Sequence, residues 1–318
     1  MALHPQAKAF LDMLASSGAP PLEKLPLSEA RAVIPERINA GFPEEPMAEL
    51  QNRTVPGPAG PIPVRVYRPA KNETLPVLIF FHGGGFVIGN LDTHDRMCRA
   101  LANASGCAII AVDYRLAPEN KYPAAVDDAY AVTKYVAEHA AEFGIDPNRI
   151  GVGGDSAGGN LATVVCLLSR DRGGPRLKFQ LMIYPLVDHF DKSPSMQQFA
   201  EGYFLTRAGM DWFKDSYLPS REAGLEASAS PMYAKDVAGL PPAMIVTAEC
   251  DPLRDQGEAY ARKLQDAGVP VELKRYEGMI HVFLQFAAVL DTAKVAMKDM
   301  ASALRKALGS ATSAGVSL

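Results

Sequence analysis

Hydrophobic positions along this chain recur in two textures. From about residue 49, short runs rich in β-branched and aromatic residues return at intervals: "IPVRVY" (62–67), "PVLIFF" (76–81), "CAIIAVDY" (107–114), "RIGVGG" (149–154), "LKFQLMIY" (177–184), "PAMIVTA" (242–248) and "PVELKRY" (270–276). Several are apolar at consecutive positions, as strands covered on both faces of a parallel sheet must be. Helical stretches lie between them. Residues 124–143 place Val126, Ala129, Tyr130, Val136, Ala140 and Phe143 at three- and four-residue steps, and Gly144 follows as a stop. "GIDPNR" then turns the chain into the next run. This alternation predicts an α/β protein with a mostly parallel central sheet flanked by helices.

Two segments break the rhythm. Residues 1–45 read as helices around Pro20-Pro21, and residues 189–238 lack strand texture and carry "MDWFKDSYL" at helical spacing. In open α/β sheets, ligands bind beyond the carboxyl ends of the strands. An insertion after the run ending at Tyr184 falls there, so both segments are expected to form one helical cap. The predicted division is an N-terminal part of the cap at 1–45, core at 46–188, a cap insertion at 189–238 and core again at 239–318, all one structural unit. The tail "GSATSAGVSL" is expected to fray.

Composition narrows the function classes. The 318 residues are 48% hydrophobic and 21% charged, with a net charge of −4. That leaves no basic footprint for nucleic acid and no polybasic surface for anionic membranes. The start, "MALHPQAKAF", lacks a charged stretch leading into an apolar core, so no secretory signal is expected. Cys98, Cys107, Cys166 and Cys250 are scattered without a C-x-x-C, which points to a reduced, cytoplasmic protein. The six histidines show no metal spacing; His139 and Glu142 form only an H-x-x-E expected on a solvated helix face. Neither a metal nor an organic cofactor is expected. The last strand, 269–277, reads as a sheet edge, and bare edges invite pairing, so a homodimer is expected.

The chemistry concentrates in two glycine clusters. Gly154-Asp155-Ser156-Ala157-Gly158 fits G-x-S-x-G, follows an apolar run and precedes the helix-prone "NLATVVCLLSR". That is the setting of a nucleophile elbow, a strained strand-to-helix turn that exposes a serine hydroxyl. "HGGGF", after "PVLIFF", offers backbone N–H groups on a loop without side chains, suited to a developing oxyanion. Its His82 is expected to brace the loop rather than to react. A serine nucleophile needs a base, and His281 in "YEGMIHVFLQF" sits just after the last predicted strand; His4, His94, His139 and His189 have less suitable contexts, although His189 is placed where it could line a pocket. The base needs an acid to fix its tautomer. Asp251 and Asp188 both follow predicted strands, while Asp255 is expected to brace the loop after Asp251.

Taken together, "HGGGF", "YRLAPE" (114–119), "YPAA" (122–125), "GDSAGGN", "DPLRD" and the late histidine resemble the hormone-sensitive lipase family, the bacterial family IV carboxylesterases, over about residues 50–305. The resemblance implies an α/β-hydrolase fold with the chain order Ser156, Asp251, His281 as nucleophile, acid and base. It implies oxyanion donors among the N–H groups of Gly83, Gly84, Gly85 and Ala157, and a small-molecule ester as substrate. One departure is Val282, where the family often has glycine after the catalytic histidine. The expected activity is hydrolysis of short- to medium-chain acyl esters through an acyl-enzyme. The alternatives are an amidase or peptidase using the same residues, a non-catalytic ligand-binding relative, and a lipase. The charges at Asp211, Lys214, Asp215, Arg221 and Glu222 count against an interfacial lid and so against the lipase.

Overall fold

The apolar runs assemble into one eight-stranded sheet. In the computed structural model, which describes residues 2–38 and 41–309, the strands are β1 (Glu49–Gly57), β2 (Gly60–Arg68), β3 (Leu75–Phe81), β4 (Ala108–Val112), β5 (Ile145–Asp155), β6 (Phe179–Ile183), β7 (Ala243–Cys250) and β8 (Val271–Ile280). Their spatial order is β1-β2-β4-β3-β5-β6-β7-β8. Every pair from β4 to β8 is parallel, whereas β2 runs antiparallel to both β1 and β4. The helices are α1 (Pro5–Ser16), α2 (Leu27–Ile38), α3 (Asp95–Ser105), α4 (Ala124–Glu138), α5 (Ala157–Asp171), α6 (Pro194–Gln198), α7 (Arg207–Tyr217), α8 (Arg221–Gly224), α9 (Arg254–Asp266) and α10 (Asp291–Leu308).

Side chains alternate across a strand, so β3 feeds two cores. Val77, Ile79 and Phe81 pack under α4, α5 and α9, while Leu78 and Phe80 pack under α3 and α10. All five are fully buried, which explains why this run reads as continuously apolar. The helix predicted over 124–143 is α4 followed by a 3₁₀ turn at Ala140–Phe143, and it ends on Gly144 in the left-handed conformation, φ +63°.

β1 was not among the predicted strands. Of its nine residues only Val55 is buried, and it pairs with β2 alone, across a hairpin. A strand at the sheet edge with little to cover keeps polar residues on both faces, so the alternation that marks a half-buried strand is missing. The tail predicted to fray lies, after Gly309, outside the described residues. No helix among the described residues is long and apolar enough to cross a membrane.

The topology creates one crevice. From β3 the chain passes through α3 to β4 on one side, then through α4 to β5 on the other side of β3. Winding therefore reverses between β3 and β5, and ligands bind at such a switch point, beyond the carboxyl ends of the strands. His82-Gly83-Gly84-Gly85 follows β3 and Ser156 follows β5, so the two glycine clusters meet there.

Candidate active site

Ser156 sits between β5 and α5 with φ +54° and ψ −114°, a backbone conformation that side chains disfavour. The turn is possible because the chain has no side chains two residues either way. A Cβ on Gly154 would lie 2.3 Å from the Phe81 carbonyl oxygen, and one on Gly158 only 1.8 Å from the same atom. The turn is held by the Ser156 N–H donating to the Ile183 carbonyl at 2.8 Å. It places the serine at the amino terminus of α5, where unpaired N–H groups and the helix dipole favour negative charge.

His281 and Asp251 arrive from the ends of β8 and β7. His281 Nδ1 lies 2.6 Å from Asp251 Oδ2, and its Nε2 lies 3.0 Å from Ser156 Oγ. A carboxylate only accepts hydrogen bonds, so Nδ1 carries the proton and Nε2 is left to accept the serine hydroxyl. Asp251 is fully buried, and its Oδ1 accepts the Leu253 N–H at 2.8 Å. The Tyr184 ring stands edge-on to the imidazole, 4.8 Å between centroids. Val282 adopts φ +65° and ψ +14°. Glycine takes that region freely, whereas a β-branched residue there is strained; the departure noted in the sequence thus falls where the backbone itself favours glycine.

The loop after β3 supplies donors. The Gly83 N–H donates to Asp155 Oδ1 at 2.8 Å and is therefore occupied. Gly84 and Gly85 have φ of +113° and +60°, and among the described residues their N–H groups, and that of Ala157, have no protein acceptor. His82 is buried and stacks on Tyr114 at 4.3 Å. Its Nδ1 lies 2.7 Å from the Gly83 carbonyl, and burial beside His94 pushes its pKa down to about 3, so the ring stays neutral and braces the loop.

Above these groups lies a cavity of about 1140 Å³. Its floor includes Ser156, His281 and Gly83 to Gly85, and its mostly apolar walls come from both segments that broke the strand rhythm. Phe10 of α1 packs on Phe286 at 4.4 Å and faces Phe204 of the 189–238 segment at 6.3 Å. Phe213 of α7 presses so close that a Cβ on Gly85 would lie 2.3 Å from its ring.

The other residues marked in the sequence fall away from Ser156 Oγ. Asp188 is half-buried and accepts the Phe190 N–H and the Tyr233 hydroxyl, at 2.8 and 2.9 Å. Asp255 braces a loop by accepting the Ser195 N–H at 2.8 Å and pairing with Arg254. His4 caps α1, and His139 stacks on Tyr135. His189 lines the cavity, and burial, with Lys214 nearby, pushes its pKa down to about 3. Asp155 has no role assigned by the sequence and His94 lies in a less suitable context, yet the two form a buried pair, Asp155 Oδ1 to His94 Nε2 at 3.0 Å. Only one local signal pointed to Asp155, its place directly before the serine. None connected it to His94.

Comparison with known proteins supplies the family. A family model of the alpha/beta hydrolase fold matches residues 78–285. The carboxylic ester hydrolase LipN of Mycobacterium tuberculosis is 43% identical over 263 residues, 81% of this chain and 70% of that protein. Ethyl acetate hydrolase of Pseudomonas putida is 36% identical over 322 residues, 97% of this chain and 100% of its own. Among solved structures, an ester hydrolase from the metagenome of Lake Arreo, complexed with a derivative of bipyridine phosphonate, superposes with a TM-score of 0.93 at 42% identity, covering 96% of this chain and 99% of that one. With this sheet, this crevice and these relatives, the chain belongs to the hormone-sensitive lipase-type (family IV) carboxylesterases of the α/β-hydrolase fold.

Proposed function

We propose that this carboxylesterase works through a Ser156–His281–Asp251 triad and an acyl-enzyme. The observation that carries the reading is the unbroken line from Asp251 Oδ2 through His281 to Ser156 Oγ, 2.6 and 3.0 Å, beside unpaired N–H groups. Ser156 Oγ attacks the ester carbonyl carbon while His281 Nε2 takes the hydroxyl proton. The carbonyl oxygen becomes an oxyanion, and the N–H groups of Gly84, Gly85 and Ala157 receive it. Collapse breaks the bond to the alcohol oxygen, which takes the proton from His281. Water, deprotonated by the same imidazole, then cleaves the acyl-enzyme and restores Ser156. Asp251 holds the tautomer and faces the imidazolium as it forms.

The helical segments 1–45 and 189–238 act together as a cap that sets the acyl length. An apolar cavity of limited volume rewards each buried methylene by about 0.8 kcal/mol until it is full. Short- to medium-chain esters are therefore the proposed substrates. A phosphonate is tetrahedral, like the oxyanion intermediate, so the Lake Arreo complex is consistent with a site of this kind. β8 leaves one side of the sheet open, and we propose that two copies pair there; light scattering showing only monomer at high concentration would remove that idea.

The direct test is a fluorophosphonate probe with mapping of the adduct. One adduct per chain at Ser156, and loss of ester hydrolysis in Ser156→Ala, are expected. Labelling at another residue, or undiminished hydrolysis by the variant, would overturn the reading.

A further inference from the structure

We propose that Asp155, pinned by His94, is a positioning residue that sets the distance and aim of the oxyanion donors relative to Ser156. This deepens the reading above and rests on it.

The argument starts from peptide planarity. In a trans peptide, the C=O and N–H of one unit point in opposite directions. A group that grips the carbonyl therefore aims the N–H. In the unit between Gly83 and Gly84, the carbonyl is gripped by His82 Nδ1 at 2.7 Å, which turns the Gly84 N–H the other way. In the next unit, the Gly84 carbonyl accepts the Val87 and Ile88 N–H groups, both at 3.0 Å, which turns the Gly85 N–H likewise. Both donors hang from the unit before them, between His82 and Gly83. That unit is held at both ends: Tyr114 Oη donates to the His82 carbonyl at 2.7 Å, and the Gly83 N–H donates to Asp155 Oδ1 at 2.8 Å.

The anchor on the N–H side is thus the residue directly before the nucleophile. One carboxylate ties the loop after β3 to the turn after β5, so donors and serine share a reference point. The contact is close: a Cβ on Gly83 would lie 2.5 Å from Asp155 Oδ2. His94 completes the arrangement. Its Nε2 reaches the same Oδ1 at 3.0 Å, and its Nδ1 lies 2.8 Å from Thr93 Oγ1, within the turn that opens α3. Asp155 is buried, which alone would raise its pKa; His94 and the Gly83 N–H outweigh that and hold it below the ordinary carboxylate range. Charge-assisted bonds to an ionised acceptor are the strong kind. Ser156 Oγ pairs with His281 Nε2 and with neither Asp155 nor His94, so the pair acts through the backbone.

The test compares ligands that do and do not develop an oxyanion. A trifluoromethyl ketone adds the serine and places a negative oxygen among the donors; the methyl ketone of the same skeleton binds without that charge. Loss of one oxyanion donor costs roughly 10²–10³ in kcat. Asp155→Ala is expected to lose about 10²-fold in kcat, with KM little changed, and to lose affinity for the trifluoromethyl ketone by a similar factor. Its affinity for the methyl ketone should stay near that of the wild type. Asp155→Asn, which keeps an oxygen for the Gly83 N–H, should lose much less. Should the alanine variant not fold, His94→Gln carries the test, with a smaller loss confined to kcat and to the trifluoromethyl ketone. Wild-type kcat, or parallel losses for both ketones, would overturn the positioning role. If the wild type itself forms no adduct at Ser156, the triad fails first, so the two failures are distinguishable.

Discussion

Two neighbouring strands end on an aspartate region, and the two carboxylates have opposite fates. Beyond β7, Asp251 is fully buried and spends its oxygens on the His281 imidazole and the Leu253 N–H. Beyond β6, Asp188 is half-buried, closes a turn onto the Phe190 N–H, and accepts the Tyr233 hydroxyl. Its own N–H, with that of Val187, is tied down by Gln256 Oε1. One strand end meets the His281 imidazole; the other anchors the segment that walls the cavity. In a parallel sheet both positions lie beside the crevice, so proximity does not choose between them. What chooses is the direction of the side chain and the partner it meets.

Exchanging the acids breaks this comparison most sharply. Asp251→Asn keeps the shape but favours the wrong imidazole tautomer, which in a serine protease triad costs about 10⁴ in kcat, or roughly 5 kcal/mol of barrier. That loss, with KM little changed, is expected for Asp251→Asn on a short aryl ester. A collapse in Asp188→Asn with Asp251→Asn active would reverse the assignment.

The wall-building side is probed by chain length. Across p-nitrophenyl esters, kcat/KM should rise by up to about fourfold per methylene, the equivalent of about 0.8 kcal/mol, until the cavity is full. It should then fall before palmitate. Equal turnover of emulsified long-chain triglyceride would mean the cap does not close the site.

Asp188→Asn should cost less than about tenfold in activity, since nothing routes a proton through it. Its effect on stability has a definite sign. Burial raises the Asp188 pKa, with the Phe190 N–H and Tyr233 hydroxyl opposing, so the charged form is penalised in the folded state. Wild-type stability therefore falls as pH rises from the ordinary carboxylate value, about 3.9, through the raised one. Asp188→Asn, whose side-chain oxygen still accepts both bonds, should be the more stable above that window and equal below it. Thermal melting across pH checks this; an advantage that grows in acid would contradict it.

The smallest effect is expected at Val282, in the loop that carries His281. Val282→Gly removes about 1–2 kcal/mol of left-handed strain but adds about 0.5–1 kcal/mol of unfolded-state entropy, so stability should change by no more than about 1.5 kcal/mol. kcat should stay near that of the wild type. A large loss in kcat would mean that the strain, or the valine itself, aims the histidine.

Much of this was written locally in the chain. The apolar runs of β3 and β7 announce strands covered on both faces, and Gly154 and Gly158 announce a turn that admits no side chain; each follows from sterics and periodicity within a few residues. The family motifs added the order Ser156, Asp251, His281. Other features needed the tertiary structure. The bonds that join the three are made across 125 and 30 residues, and no local rule separates Asp251 from Asp188 at that range. Nor could spacing tell that Gly83 spends its N–H on Asp155 while Gly84 and Gly85 keep theirs, because peptide orientation depends on what grips each carbonyl. β1 was hidden because only Val55 of its nine residues is buried, which leaves no pattern to read. Periodicity records what a residue must be buried against its own sheet or helix; which partner it meets is decided only when distant strand ends converge on one crevice.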